Sequence, residues 1–83
     1  MKLLKFGASW CGPCKMLTKV MSDMEFPYDV EEIDIEDNEE LVNQYNVRGV
    51  PTLVLLNDDG NVILTHIGAL DKPTLEKTFI DNY

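Results

Sequence analysis

The spacing of apolar residues in the first half of the chain predicts two strands separated by a helix. A short apolar run predicts a first strand over residues 2–6. Apolar residues then recur every three or four positions, which predicts an amphipathic helix over residues 11–24. Beyond this helix, a second strand is predicted over residues 28–35.

A second helix is predicted after this strand. Asp37 or Asn38 would cap it, and the spacing from Asp37 to Glu40 is that of a capping box. Asn46 marks its end. Its buried stripe would consist of Leu41, Val42 and Tyr45.

The second half of the chain predicts a hairpin and a third helix. Residues 52–56 are apolar almost throughout, which is typical of a strand covered on both faces, and residues 62–67 return after a turn rich in Asn and Asp. Asp71 would cap a last helix that buries Leu75 and Phe79. The element order βαβαββα predicts an α/β fold, with helices on both faces of a four-stranded mixed sheet.

Length and composition fit one globular domain over residues 1–83. Hydrophobic residues make up 45% and charged residues 27% of the chain, so neither disorder nor a membrane protein is expected. No apolar run approaches the roughly 20 residues that a membrane helix needs. Met1 lies directly before the first strand, which leaves no signal peptide, and we expect a cytoplasmic monomer.

The formal net charge of −8 argues against a nucleic-acid partner, because binding phosphates requires clustered cations and the chain has only seven Lys and Arg residues. Acidic residues are concentrated between Asp29 and Glu40, a segment without Lys or Arg. This segment is interpreted as a solvated strand end and helix start. A docking patch for a basic partner is the alternative.

The only two cysteines lie three residues apart in Trp10-Cys11-Gly12-Pro13-Cys14, where the first strand turns into a helix. Unpaired backbone N–H groups and the positive dipole end of a helix start favour a thiolate, so we expect Cys11 to be the nucleophile. Pro13 suits a first turn, where it removes no helical hydrogen bond. Cys14 lies on the same helix face, so a reversible disulfide can close.

This pair predicts thiol–disulfide exchange. The Cys11 thiolate would attack a partner's disulfide, and Cys14 would then release the reduced partner. No metal, nucleotide or flavin motif accompanies the pair, so we expect no cofactor and an external source of electrons. A CxxC pair can also form half of a zinc site, but a closed site needs four ligands and His66 is the only histidine.

The sequence resembles the thioredoxin family. The motif WCGPC at 10–14 is followed by Lys15 and Met16, as it is in that family. Further matches are Arg-Gly-Val-Pro-Thr at 48–52, similar to the family's cis-proline loop, and Ile-Gly-Ala-Leu at 67–70, similar to its glycine turn. Thioredoxins usually begin with an additional strand and helix that this sequence lacks.

The resemblance implies the sheet order 2-1-3-4, with the first and last helices on one face. It also implies a cis bond before Pro51, whose loop would pair with an extended substrate chain. Proteins containing disulfides would be the substrates, and a disulfide reductase of the thioredoxin reductase type would supply electrons. The residues expected to bind substrate are Trp10, Gly49, Val50, Ile67 and Gly68.

One position departs from the family pattern. Thioredoxins usually carry a buried aspartate six residues before the first cysteine, paired with a lysine on the neighbouring strand. Here these positions hold Lys5 and Glu32, which implies a supporting pair with exchanged charges. A charged Lys5 would lower the pKa of the Cys14 thiol. The alternative is that Lys5 extends into solvent and Glu32 is solvated.

Two other functions stay open. The short architecture resembles the minimal fold of glutaredoxins, which use glutathione, although glutathione carries two carboxylates and this chain is acidic. Gly12-Pro13 also stands where glutaredoxins commonly have Pro-Tyr. The second alternative is a non-enzymatic accessory subunit that only binds a partner in the groove around Trp10, Val50 and Ile67.

Overall fold

A four-stranded mixed sheet with the order β2-β1-β3-β4 forms the centre of the protein, as predicted. The computed structural model describes residues 1–81, so the last two residues of the predicted domain lie outside it. The strands are β1 Lys2–Gly7, β2 Asp29–Asp34, β3 Thr52–Leu56 and β4 Val62–Ile67. The helices are α1 Gly12–Ser22, α2 Glu39–Gln44 and α3 Lys72–Leu75, and α3 continues into a π-helical turn, Glu76–Ile80.

The central strand β1 pairs with β2 in parallel and with β3 antiparallel. β3 and β4 form the predicted antiparallel hairpin. The side-chain oxygen of Asn57 closes the turn between them, because it accepts the N–H groups of Asp59 and Asn61. The composition of this turn therefore predicted its location correctly.

Each face of the sheet has its own apolar core. α1 and α3 cover one face, so the first and last helices share a side, as the resemblance implied. α2 covers the other face, and β3 is buried along its whole length because both faces are covered. The first core comprises Leu3, Leu17, Met21, Leu53, Leu55, Leu75 and Phe79. The second comprises Leu4, Phe6, Ile33, Val54 and Leu56, against which Leu41, Val42 and Tyr45 pack.

The start of α2 differs from the prediction, whereas its end agrees. Asn38 occupies the N-cap position but makes no capping hydrogen bond, and its side-chain amide donates to the Asp34 carbonyl instead. The predicted capping box is therefore wrong. At the other end, Asn46 adopts a left-handed φ of 54°, and Val47 N–H donates to Val42 O at 2.9 Å. This is a Schellman-type ending.

α1 ends earlier than predicted, and α3 changes its helix type along its length. α1 ends at Ser22 rather than at Met24, because Asp23 and Met24 donate to carbonyls three residues back. Asp71 caps α3 as predicted, but the helix widens after Leu75, a change that apolar spacing did not indicate. Within residues 1–81, no helix is long and apolar enough to cross a membrane.

Candidate active site

The cysteine pair lies where β1 delivers the chain to the first turn of α1. Cys11 is the N-cap residue, with an extended backbone, and its sulfur accepts the Cys14 N–H at 3.1 Å. Gly12 and Pro13 form the first two helical positions, as the proline's fixed φ and missing N–H allow. The structure therefore places Cys11 at the helix terminus that favours a negative charge.

The two cysteines form a disulfide, with Cα atoms 5.2 Å apart. Each is only 4% exposed in this oxidised state. β1 approaches the pair closely, since a Cβ built on Gly7 would lie 3.5 Å from the Cys14 sulfur. Within residues 1–81, no three His, Cys, Asp or Glu side chains are grouped so that they could hold a metal ion.

An exposed apolar surface lies on one side of the pair. Trp10 and Ile67 are 66% and 61% exposed, although both are large apolar side chains. Ile67 reaches the loop before β3. If Gly49 carried a Cβ atom, that atom would lie 3.8 Å from Cγ2 of Ile67. We call the depression beside Trp10 the loop groove, and its lining residues are Trp10, Ile35, Val42, Val47, Arg48, Gly49 and Val50.

Pro51 enters β3 at the end of the sheet where β1 leads to the cysteines, because Thr52 is paired with both Phe6 and Ile67. The bond between Val50 and Pro51 is cis, as the resemblance implied. Gly68 donates its N–H to Pro51 O at 2.8 Å and has a φ of 104°. The glycine turn and the proline loop are therefore joined.

Lys5 is buried and does not extend into solvent. Its side chain is 7% exposed, and Nζ lies 3.0 Å from Oε1 of Glu32, whose side chain is 65% exposed. The two residues are direct partners in the parallel register of β1 and β2. The pair with exchanged charges is therefore present. Lys5 does not extend into solvent, whereas Glu32 is largely solvent-exposed, as the alternative had it.

Thr18 is the site residue that the sequence reasoning missed. Its hydroxyl accepts a hydrogen bond from Lys5 Nζ and donates one to the Cys14 carbonyl at 2.9 Å. Helical spacing could have revealed it, because Thr18 follows Cys14 by four residues. A second depression, which we call the lysine cleft, is lined by Lys5, Gly7, Ala8, Ser9, Cys14, Lys15, Thr18, Glu32, Ile33 and Asp34.

Comparisons with known proteins agree with this arrangement. The thioredoxin family model matches residues 1–81. The thioredoxin of Pseudomonas aeruginosa is 41% identical over 83 aligned positions, which cover 95% of this chain and 75% of that protein. That of Haemophilus influenzae is 42% identical over 77 positions, covering 88% of this chain and 71% of that protein. The structure of a mutant thioredoxin from Halobacterium salinarum superimposes with a TM-score of 0.86 at 39% identity, covering 94% of this chain and 70% of that one.

Proposed function

This chain belongs to the thioredoxin family, and on that premise we propose that it reduces disulfide bonds in other proteins through Cys11 and Cys14. Membership of this family and the redox-active cysteine pair identify it as a thiol–disulfide oxidoreductase. The assignment of Cys11 as the nucleophile and Cys14 as the second cysteine to react rests on one observation. The Cys11 sulfur caps α1 and is already bonded to the sulfur of Cys14.

Cys11 is the attacking residue in this proposal. In the reduced protein its thiolate would retain the Cys14 N–H as a hydrogen-bond donor and would lie at the positive end of α1. It attacks one sulfur of the partner's disulfide and forms a mixed disulfide. Cys14 then attacks the Cys11 sulfur, which releases the partner as a dithiol and restores the bond seen in the structure.

The surface around Trp10 and Ile67 is proposed to bind the partner. Both side chains are apolar and largely exposed, and together they flank the loop that contains Gly49 and Val50. An extended chain can use its backbone hydrogen bonds against such a loop while its side chains contact the apolar flanks. Gly68 and Pro51 support this surface through the hydrogen bond that joins their turns.

A thioredoxin reductase is the proposed electron donor, as is general for the family. We further propose that residues 1–83 form a single domain that works as a cytoplasmic monomer. The net charge of −8 favours this donor over glutathione, whose two carboxylates an acidic surface would repel.

A paired turnover assay tests the proposal. Reduction of a protein disulfide is followed with NADPH and a thioredoxin reductase, and in parallel with NADPH, glutathione reductase and glutathione. We expect turnover in the first system. Turnover only with glutathione would identify a glutaredoxin-like enzyme. If neither system nor dithiothreitol supports reduction, and a Cys11→Ser, Cys14→Ser double variant still binds partners, the chain is an accessory subunit.

A further inference from the structure

We propose that Lys5 is a positioning residue for the second step of the reaction, the attack of Cys14 on the mixed disulfide. Its ammonium group, held by Thr18 and Glu32, favours the thiolate form of Cys14. This inference rests on the proposed function for the role of Cys14. A lysine that is 7% exposed on a central strand needs an explanation, because burying an ammonium group is costly unless it is paired. Glu32 supplies one partner, and the other, the Thr18 hydroxyl, leads toward Cys14.

The contacts connect Lys5 to the cysteine through one residue. Nζ of Lys5 donates to the Thr18 hydroxyl, and that hydroxyl donates to the carbonyl of Cys14 at 2.9 Å. Glu32 accepts from the same Nζ at 3.0 Å. The ammonium group is therefore fixed between β2 and the first turns of α1.

The geometry of β1 directs the Lys5 side chain toward the face of the sheet that Cys14 contacts. Lys5 and Gly7 lie two residues apart on β1, so their side-chain directions share a face of the sheet. A Cβ on Gly7 would lie 3.5 Å from the Cys14 sulfur, so this face is the one that the cysteine contacts. Lys5 and Cys14 both line the lysine cleft, whose other charged residues are Lys15, Glu32 and Asp34.

The chemistry of the second step gives this charge a role. The Cys14 thiol releases its proton to water in the cleft, and the thiolate attacks the Cys11 sulfur of the mixed disulfide. The bond between Cys11 and Cys14 forms, the bond between Cys11 and the partner breaks, and the partner leaves as a thiolate. Both electrons come from the cysteine pair. A cation beside the cleft favours the attacking thiolate, and Glu32 partly opposes it.

The same two strands provide a matched control. Lys2 Nζ lies 3.1 Å from Glu31 Oε1, and these side chains are 45% and 47% exposed. This pair also joins β1 to β2, but neither residue lines the lysine cleft, and Lys2, three residues before Lys5 on β1, faces the opposite side of the sheet. Lys2→Met therefore removes a lysine of equal charge from the same strand and leaves the contacts among Lys5, Thr18 and Glu32 in place.

The test is a titration of Cys14 by thiolate absorbance in a Cys11→Ser background, with the melting temperature of each variant recorded. Lys5→Met should lower the fraction of Cys14 present as thiolate at neutral pH by about tenfold. Glu32→Gln should raise that fraction, and Lys2→Met should leave it unchanged. Thr18→Val should shift it in the direction of Lys5→Met by a smaller factor, because the ammonium loses one of its anchors.

Shifts of the Cys14 thiolate fraction in opposite directions in Lys5→Met and Glu32→Gln would support the proposal. A purely structural role of the ion pair would shift this fraction in the same direction in both variants. Equal thiolate fractions in the parent, Lys5→Met and Glu32→Gln proteins would overturn it. If Lys5→Met does not fold, the exposed Glu32 position carries the test alone. The titration needs no partner protein, so its outcome is independent of the turnover assay that tests the proposed function.

Discussion

Two helices of this protein begin in the same way but with different chemistry. α1 starts with Cys11-Gly12-Pro13-Cys14, and α3 starts with the segment 71–74, Asp-Lys-Pro-Thr. In each, the N-cap side chain accepts the backbone N–H three residues on, at 3.1 Å for the Cys11 sulfur and 3.0 Å for the Asp71 carboxylate. Each also has proline at the second helical position.

Comparing the two helix starts separates the effect that any helix start has on its N-cap residue from the effect of the cysteine side chains. At Asp71, hydrogen bonds from the Thr74 side chain and then from its backbone N–H lower the pKa of the carboxyl group. The Thr74 hydroxyl is specific to α3, but the backbone N–H is a donor that the start of any helix provides, and it stabilises an anion here even at an exposed position. At Cys11 the same hydrogen bond acts on sulfur, and the residue that donates it is a second cysteine. The helix start favours a negative charge on the N-cap side chain. The two cysteine side chains turn that charged group into a nucleophile that can form a disulfide.

The largest expected effect is that of Cys11→Ser, which should abolish reduction of protein disulfides. Serine caps helices well, so the fold should persist while the nucleophile is lost. The matched control is Asp71→Ser, which replaces the corresponding residue of α3 and should leave turnover intact. Turnover with dithiothreitol as donor is the measurement. Retained activity in Cys11→Ser would show that another residue is the nucleophile.

Cys14→Ser should stop the reaction at its midpoint. The backbone N–H of residue 14 remains available to the Cys11 sulfur, so the first attack should proceed, but the mixed disulfide cannot be resolved. We expect covalent adducts with partner proteins on a non-reducing gel, and none with the Cys11→Ser, Cys14→Ser double variant. Absence of adducts from the single variant would argue against the two-step mechanism.

Asp71→Ala should affect stability and leave catalysis unchanged. Removal of the carboxylate leaves the Thr74 N–H without its capping partner, so the melting temperature should fall by roughly a few degrees. Turnover at a temperature well below the transition should equal that of the unsubstituted protein. A loss of turnover under those conditions would mean that α3 contributes to the active site.

The smallest effect is the pH dependence of Asp71→Asn, which retains a capping oxygen but no charge. Folding lowers the pKa of the Asp71 carboxyl group, so its charge stabilises the native state at pH values above the pKa of an unfolded aspartate. That stabilisation is lost as the pH falls through the folded pKa. Chemical denaturation should therefore separate the two proteins at neutral pH and not in strong acid. A constant difference at every pH would contradict this electrostatic account.

Sequence reasoning succeeded where one local signal determines the structure. Proline in a helical first turn, the composition of the hairpin turn and the apolar run of β3 each have a single interpretation, and the structure agrees with all three. It failed at the start of α2, where two physically equivalent options compete. The side chain of Asn38 can cap the helix or bond back to the preceding turn, and it bonds to Asp34.

The surroundings of Lys5 required the tertiary structure. A lysine on a strand can extend along the surface to solvent, and nothing in the sequence of β1 excludes that. Its burial depends on α1 crossing the sheet face, and this brings Thr18 over the strand. The periodicity of α1 places Thr18 near Cys14, but only the packing of the helix on the sheet brings both to Lys5.

We expect the start of α1 to activate Cys11 as the nucleophile. The most direct test of this activation is a titration of the Cys11 thiol in the reduced Cys14→Ser protein by thiolate absorbance, with the same protein unfolded in denaturant as the reference. Folding should lower the pKa of Cys11, because the native state supplies the N–H of residue 14 and the positive end of α1. If the folded and unfolded proteins titrate at the same pH, or the folded protein titrates at a higher one, the helix start does not activate the nucleophile.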